Sequence, residues 1–217
     1  MEKKIPPEEI DKIIERKASK IKDFFFIQIG SNDGQTNDPI HKYIIKYGWR
    51  GILVEPVFSM FRKLKNTYLG VKGLIFENVA IDAKDGYRKF YRLRDNNEPD
   101  MPIWYNQLGS FVKEVVEKHR DLIHNFDKYF VSQDVVCLSF KTLLETHEVS
   151  KVDLLHIDTE GYDYEIIKLI PFEIVKPKMI LYEHIHLKLV DASECLELLK
   201  TQGYKILQTD YDVLAYK

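Results

Sequence analysis

The sequence predicts an α/β fold in which a mainly parallel sheet is covered by helices on both faces. Short apolar runs alternate with segments of helical periodicity along nearly the whole chain. These runs place apolar residues at successive positions, which is typical of strands buried on both faces. A length of 217 residues suits one well-buried core, so we expect a single domain over residues 1–217.

The first half of the chain begins with a helix start. Pro6 and Pro7 precede Glu8 and Glu9, and acidic residues favour the first turn of a helix. Residues 1–22 are therefore interpreted as an N-terminal helical cap. After it we expect strands over 24–29, 51–55, 74–79 and 87–93, with helices over 37–47 and 58–68.

Residues 94–110 interrupt this alternation. From Arg94 to Leu108 the sequence has no periodicity and carries the polar run from Asn96 to Asp100. A connection of this length is usually functional, so we expect a substrate loop here. Trp104 and Tyr105 lie within it, and their rings would either stack against a planar acceptor or anchor the loop to the core.

The second half returns to alternation and closes with a hairpin. The predicted strands cover 135–138, 152–157 and 179–184, and the predicted helices cover 111–125, 141–147, 161–170 and 193–201. Residues 204–207 and 213–216 flank a polar turn, so we expect them to form an antiparallel hairpin at the C-terminus.

The composition excludes several classes of protein. A formal net charge of −2 lacks the excess of basic residues that general nucleic-acid binding requires, so no nucleic-acid partner is expected. Two distant cysteines, Cys137 and Cys195, fit neither a disulfide framework nor a cysteine zinc site. No apolar run is long enough for a signal peptide or a membrane span, so we expect a cytoplasmic protein. The oligomeric state is not predicted.

Polar and acidic residues follow five of the predicted strands. In an open α/β sheet the ligand crevice lies beyond the carboxyl ends of the strands, so these residues should share one rim. They are Gly30-Ser31-Asn32-Asp33-Gly34, Glu55-Pro56, Glu77-Asn78-Val79-Ala80, Asp158-Thr159-Glu160-Gly161 and Glu183-His184-Ile185-His186.

A glycine turn followed by an acid on the second strand fits two kinds of nucleotide cofactor. A nicotinamide dinucleotide, and hence an oxidoreductase, is one alternative. Asp33 favours the other, a sulfonium cofactor, because its charge would repel a pyrophosphate but not a cationic methionine group. The spaced third glycine of the dinucleotide fingerprint is also missing. A catalytically inactive nucleotide-binding scaffold stays a third alternative.

Several collinear segments resemble the FkbM family of methyltransferases. They are FFFIQIGSNDGQTNDPI, GWRGILVEPVFSMFRKL, FENVAIDAKDG, LGSFVKEV, VDLLHIDTEGYDYEIIKLI and ILYEHIHL, and the resemblance runs from about Phe24 to Lys217. Ser31 replaces the alanine of the family's GANxG pattern. His156 stands where the family often has a lysine, so no role of that lysine is carried over.

The resemblance implies a class I methyltransferase Rossmann-like fold with a seven-stranded sheet and a reversed final strand. It implies S-adenosyl-L-methionine as methyl donor and, by default, O-methylation of a small-molecule or glycan acceptor. Gly30, Asn32, Asp33 and Gly34, with Ser31 in the same turn, would hold the methionine end. Glu55, followed by Pro56, would bind the ribose, Asn78 and Ala80 would flank the adenine, and Ser110 would touch the cofactor or substrate.

The candidate catalytic bases follow the later strands. They are Asp158, Glu160, Glu183 and His184. We favour Asp158 and His184, because each directly follows an apolar run and should point into the crevice. In the alternative interpretation Asp158 only orients its loop and caps the next helix.

A histidine pair also raises the question of a metal. His184 and His186 could bind a divalent metal together with Asp158, and such a metal would lower the pKa of an acceptor hydroxyl. Such pairs are more often structural or substrate-facing, so no metal ligand is predicted.

Overall fold

The computed structural model describes residues 4–95 and 101–217 and contains eleven strands within them. The strands are β1 (Phe25–Ile29), β2 (Arg50–Val54), β3 (Leu74–Glu77), β4 (Ala80–Asp82), β5 (Gly86–Leu93), β6 (Gly109–Ser110), β7 (Phe130–Ser139), β8 (Leu154–Ile157), β9 (Met179–Glu183), β10 (Lys205–Gln208) and β11 (Asp212–Tyr216).

Eight α-helices lie between or beside these strands in the described ranges. They are α1 (Pro7–Ala18), α2 (His41–Tyr47), α3 (Phe58–Thr67), α4 (Lys113–Glu117), α5 (Phe126–Tyr129), α6 (Phe140–Thr146), α7 (Asp163–Lys168) and α8 (Leu189–Thr201). None of the helices in this part of the chain has the length and apolar character needed to cross a bilayer.

Seven strands form the main sheet, in the order β10-β11-β9-β8-β1-β2-β3. The pairs from β9 through β8, β1 and β2 to β3 are all parallel. The last strand, β11, runs antiparallel to both β9 and β10. This confirms the mainly parallel seven-stranded sheet with its C-terminal antiparallel hairpin.

The two faces of the main sheet bury separate apolar clusters. On one face Ile27, Ile52, Leu155 and Ile180 pack with residues of α6, α7 and α8. On the other, Phe26, Leu53, Leu154 and Leu181 pack with residues of α1, α2 and α3. Because side chains alternate along a strand, two apolar faces explain why these strands appear as continuous apolar runs.

A second sheet, which the sequence did not predict, lies beside the main one in the order β4-β7-β5-β6. The strand expected over 74–79 ends at Glu77 in the main sheet, and the next strand, β4, begins at Ala80 in the second sheet, so the chain divides between the two sheets here. The division falls at Asn78, whose side-chain amide donates to the backbone oxygens of Glu55, at 2.8 Å, and Pro56, at 3.2 Å. Strand β7 is also longer than expected, because it pairs along its length with β5.

The helix expected over 111–125 is wrong. Only Lys113–Glu117 is α-helical, a 3-10 turn covers Arg120–Leu122, and Asn125 adopts a left-handed conformation with φ of 55°. Asparagine enters this region more readily than other residues with a Cβ, and it ends the local helical path. The helices expected to begin at residues 37 and 193 begin at His41 and Leu189 instead.

Candidate active site

The carboxyl ends of β1, β2, β8 and β9 open onto a cavity of about 840 Å³. This volume is in the range of small-molecule and cofactor sites. Its wall includes nine of the fourteen residues that the sequence predicted as cofactor-binding or catalytic, namely Gly30, Ser31, Asn32, Glu55, Pro56, Ala80, Asp158, Glu160 and Glu183. The cavity therefore lies at the strand ends where the sequence analysis expected a shared rim.

The turn after β1 brings the backbone against the end of β8. Gly30 has φ of +83°, and a Cβ at this position would lie 1.7 Å from the backbone oxygen of Asp158. Only glycine allows this approach. Asn32 is also left-handed, with φ of 47°, and its side-chain oxygen is buried without a hydrogen-bond partner. The turn thus presents backbone and an unpaired acceptor to the cavity.

Asp33 and Gly34 belong to the same turn but do not line the cavity. The Asp33 carboxylate accepts from the backbone N–H groups of Gln35 and Thr36, at 3.0 and 2.8 Å, and from the Thr36 hydroxyl at 2.7 Å. A Cβ on Gly34 would collide with Leu64 and Tyr68. Both residues therefore fix the shape of the turn, in contrast to the direct cofactor contact expected of them.

Glu55 is buried at the end of β2, with 5% of its surface exposed. Its two carboxylate oxygens accept from the backbone N–H groups of Asn32, at 2.9 Å, and Val57, at 2.7 Å. Burial raises the pKa of Glu55 to about 7, although these bonds and the charge of Arg92 oppose the shift. Each oxygen keeps a lone pair, so the carboxylate can also accept hydrogen bonds from a ligand.

Two residues expected to touch the cofactor have their polar groups engaged elsewhere. The amide of Asn78 holds the backbone after β2, as described above. Ser110 is fully buried, its hydroxyl donates to the backbone oxygen of Glu160 at 2.7 Å, and it accepts from Val112 N–H at 3.0 Å. Neither lines the cavity. Both instead position residues that do.

Asp158 faces the cavity directly after β8. No described residue donates a hydrogen bond to its carboxylate. Burial and the charges of Glu160 and Glu183 raise its pKa well above the ordinary value. The loop that follows is held by Asp163 instead, which accepts from Gly161 N–H at 3.1 Å and Thr159 N–H at 3.4 Å. The alternative in which Asp158 merely orients this loop is therefore wrong.

Glu160, Glu183 and His186 form a compact group at the cavity wall, here called the acid–histidine cluster. The His186 Nε2 atom lies 3.0 Å from a carboxylate oxygen of Glu160 and 3.7 Å from one of Glu183. That Glu183 oxygen, Oε2, is buried without a hydrogen-bond partner. Burial, followed by the charge of Glu160, raises the pKa of Glu183 to about 9.

A glycine makes this cluster possible. Gly161 has φ of +89°, and a Cβ there would lie 3.2 Å from the His186 Cβ and 3.0 Å from a Val115 methyl group. The absence of a side chain lets the segment after β9 pack onto the loop after β8. His186 consequently reaches Glu160, which is 26 positions earlier in the sequence.

His184, one of the two favoured bases, points away from the cavity. Its Nε2 atom lies 3.2 Å from the backbone oxygen of Thr209 and 3.3 Å from the Gln208 amide. Successive side chains at the end of a strand face opposite sides, so Glu183 faces the cavity and His184 does not. The expectations that His184 acts in the crevice, or binds a metal with His186 and Asp158, are wrong.

The wall opposite the main sheet comes from residues 101–125. Trp104 and His119 line the cavity, with their ring centroids 5.1 Å apart, and the His119 ring lies 5.9 Å from that of His186. Tyr105 is buried in a separate apolar cluster instead, and so anchors this segment. The polar run 96–100 lies outside the described residues. His119 lies within the helix expected over 111–125, and sequence periodicity gave no sign that it lines the cavity.

A polar floor at the end of β1 and β8 was also missed. Gln28 and His156 are buried neighbours with 3.1 Å between the Gln28 Nε2 and His156 Nδ1 atoms, and both line the cavity. Burial lowers the pKa of His156 to about 4, so the ring is neutral. Asp38 lines the same region with an unpaired buried oxygen. Polar residues inside apolar runs were the only sequence signal for this floor.

Comparison with solved structures identifies the fold. Methyltransferase FkbM from Methylobacillus flagellatus KT has a TM-score of 0.52 at 12% identity, and the match covers 92% of this chain and 46% of that chain. The METTL16 MTase domain has a TM-score of 0.53 at 11% identity, with 98% and 69% covered. At such low identities these similarities establish a class I methyltransferase-like fold alone. A comparison with curated proteins gave no significant match.

The family is established by sequence. The model of the methyltransferase FkbM domain matches residues 28–206, which is most of the chain and contains every cavity-lining residue named above. This confirms the resemblance found in the motifs and removes the support for a nicotinamide-dependent oxidoreductase. The protein belongs to the methyltransferase FkbM domain family.

Proposed function

We propose that the protein transfers a methyl group from S-adenosyl-L-methionine to a hydroxyl oxygen of a sugar, glycan or small metabolite, with Asp158 as the base. The single observation that carries the proposal is the unpaired Asp158 carboxylate in the cavity. The Asp158 backbone packs against Gly30 of the glycine turn, and its carboxylate interacts electrostatically with Glu160 and Glu183 of the acid–histidine cluster. The identity of the methyl donor is inferred from the fold and the family. The choice of a hydroxyl oxygen as acceptor is inferred from this carboxylate.

The residues of the β1 and β2 ends fit the donor. Asn32 and Asp38 each present a buried oxygen without a hydrogen-bond partner, and such acceptors suit the ammonium group of a methionine. Glu55 has lone pairs left for the two ribose hydroxyls. Ala80 and Pro56 add apolar surface beside Glu55. We therefore assign the donor to this half of the cavity.

The donor supplies an electrophilic methyl group carried on a sulfonium. A neutral alcohol is a poor nucleophile, so the protein must hold the hydroxyl in place and take its proton. Asp158 lies beside the start of the glycine turn, since its own backbone N–H donates to the backbone oxygen of Ile29 at 2.9 Å. Its carboxylate accepts the hydroxyl proton and later releases it to solvent.

The test is turnover of purified protein with the donor and a panel of matched acceptors that carry either a hydroxyl or an amine. Formation of S-adenosylhomocysteine is measured at saturating donor. We expect turnover with hydroxyl acceptors only, and a decrease of about 100-fold in kcat for Asp158→Asn, which is the usual size of general-base catalysis.

Donor binding is the control for this variant. Asp158→Asn should bind S-adenosylhomocysteine as the wild type does, because the turn and Glu55 are untouched. Full turnover in Asp158→Asn would contradict the role of this base. Methylation of amines alone would contradict the assignment of a hydroxyl acceptor.

A further inference from the structure

The acid–histidine cluster has the composition of a metal site. Glu160, Glu183 and His186 offer two carboxylate oxygens and one imidazole nitrogen, and these three atoms all lie within 4.8 Å of one another. Imidazole and carboxylate together suit divalent cations of the first transition row. The cluster opens onto the cavity, so a cation there would also have room for ligand atoms from a substrate.

The distances agree with a shared cation. Metal–ligand bonds of about 2.1 Å place neighbouring ligand atoms about 3.0 Å apart in an octahedron and opposite ones about 4.2 Å apart. The observed separations of the His186 Nε2 atom from the two carboxylate oxygens are 3.0 and 3.7 Å. A small inward movement of the side chains would close a three-ligand face, with the remaining positions directed to the cavity.

Charge balance also favours a cation. Asp158, Glu160 and Glu183 bring three carboxylates together, and among the described residues no lysine or arginine forms an ion pair with any of them. The Glu183 Oε2 atom has neither solvent contact nor a hydrogen-bond donor, and such a buried oxygen is costly unless something binds it.

We infer that Glu160, Glu183 and His186 bind a divalent cation of the first transition row, and that this cation binds the acceptor hydroxyl. A bound cation lowers the pKa of a hydroxyl, and Asp158, which lines the same cavity, is the carboxylate proposed above to receive the proton. The second half of this inference rests on the proposed function, whereas cation binding itself does not.

The experiment is a titration of the full chain with Mn²⁺, without donor or acceptor, followed by calorimetry and by the loss of the free Mn²⁺ signal in electron paramagnetic resonance. We expect one site per chain with Kd below about 1 mM. Glu183→Gln and His186→Asn should each weaken binding at least tenfold. Mg²⁺ should bind less tightly than Mn²⁺, because it gains less from an imidazole ligand.

The chain offers a matched control. His147 Nε2 lies 2.8 Å from Glu77 Oε1 in a similarly half-buried pair, but no further acid joins them. His147→Asn should leave Mn²⁺ binding unchanged. Equal loss of Mn²⁺ binding in His147→Asn and His186→Asn would overturn the inference. So would the absence of saturable binding at Mn²⁺ concentrations well above the expected Kd. The cluster would then be an ion pair of imidazolium and carboxylate.

Activity separates this inference from the proposed function. Methyl transfer that persists in excess chelator would overturn the catalytic role of the cation and leave the methyltransferase intact. Tight Mn²⁺ binding with no transfer to any hydroxyl would support the site and contradict the hydroxyl acceptor instead.

Discussion

The two halves of the cavity are built in different ways. The donor half, at the ends of β1 and β2, is shaped by backbone: the turn at Gly30 packs on Asp158, and Glu55 is held by two backbone N–H groups. The acceptor half, at the ends of β8 and β9, is shaped by side chains from distant segments, including Glu160, His186 and Trp104. The half assigned above to the donor is therefore shaped by local geometry, and the half assigned to the acceptor is shaped by tertiary packing.

The largest effect is expected from a substitution in the backbone turn of the donor half. Gly30→Ala should lower the free energy of unfolding by about 3 kcal/mol and abolish binding of S-adenosylhomocysteine, because the new Cβ would collide with the Asp158 backbone. Chemical denaturation and calorimetry measure the two effects.

Gly48→Ala is the matched control for this substitution. Gly48 also has a positive φ, of +62°, but no atom lies within 4 Å of the position its Cβ would take. It should therefore lose only about 1 kcal/mol, the cost of the left-handed conformation, and retain binding. Equal losses in both variants would show that conformation alone, without close packing, explains the need for Gly30.

A smaller effect is expected from the buried acid of the same half. Glu55→Gln should weaken binding of S-adenosylhomocysteine about tenfold or more, since a charged acceptor for the ribose hydroxyls is lost. Calorimetric titration at pH 8 measures this, and the acceptor KM should change little. Unchanged affinity would mean that the ribose binds elsewhere.

The pH dependence of stability provides a second readout for Glu55. Its folded pKa of about 7 lies above the ordinary value of 4.5, so folding favours the protonated acid. The stabilisation is complete below pH 4.5 and is lost as the pH rises through 7. The melting temperature of the wild type should therefore fall more between pH 5 and 8 than that of Glu55→Gln. An equal fall in melting temperature for the two proteins would contradict a raised pKa of Glu55.

The smallest effect is expected in the acceptor half. Trp104→Leu should raise the acceptor KM about fivefold, which corresponds to the roughly 1 kcal/mol of an aromatic contact. The affinity for S-adenosylhomocysteine should stay the same. Steady-state kinetics with a varied acceptor measure the first value. A change confined to donor affinity would contradict this assignment and place Trp104 in the donor half of the cavity.

The donor half and the main sheet could be predicted from the sequence because their determinants are local. A glycine turn after an apolar run, and an acid after the next, specify backbone geometry within a few residues. Gly30 and Glu55 were found in this way. Even here nothing in the sequence indicated that the Asp33 carboxylate accepts hydrogen bonds from Gln35 and Thr36 within the turn, and its contact with the cofactor stays a prediction.

The acceptor half was predicted only in part: the sequence singled out Asp158, Glu160 and Glu183, but not the contacts among the residues of this half. His186 meets Glu160 only because two loops pack at Gly161, and nothing in either segment alone specifies that contact. His184 was favoured from its place after a strand, but the alternation of side chains selects Glu183 instead. The second sheet was missed because β5 and β7 are joined by pairing across about 40 residues.

The break of pairing at Asn78 also divides the cavity wall between two parts of the chain. From β4 to the end of α6 the chain makes one continuous excursion, which builds the second sheet and then returns to the main sheet at β8. This excursion supplies Trp104 and His119 but none of the glycine turn or Glu55. A change in the length of the loops after β4 would therefore alter the part of the cavity wall that holds Trp104 and His119 without touching the glycine turn or Glu55.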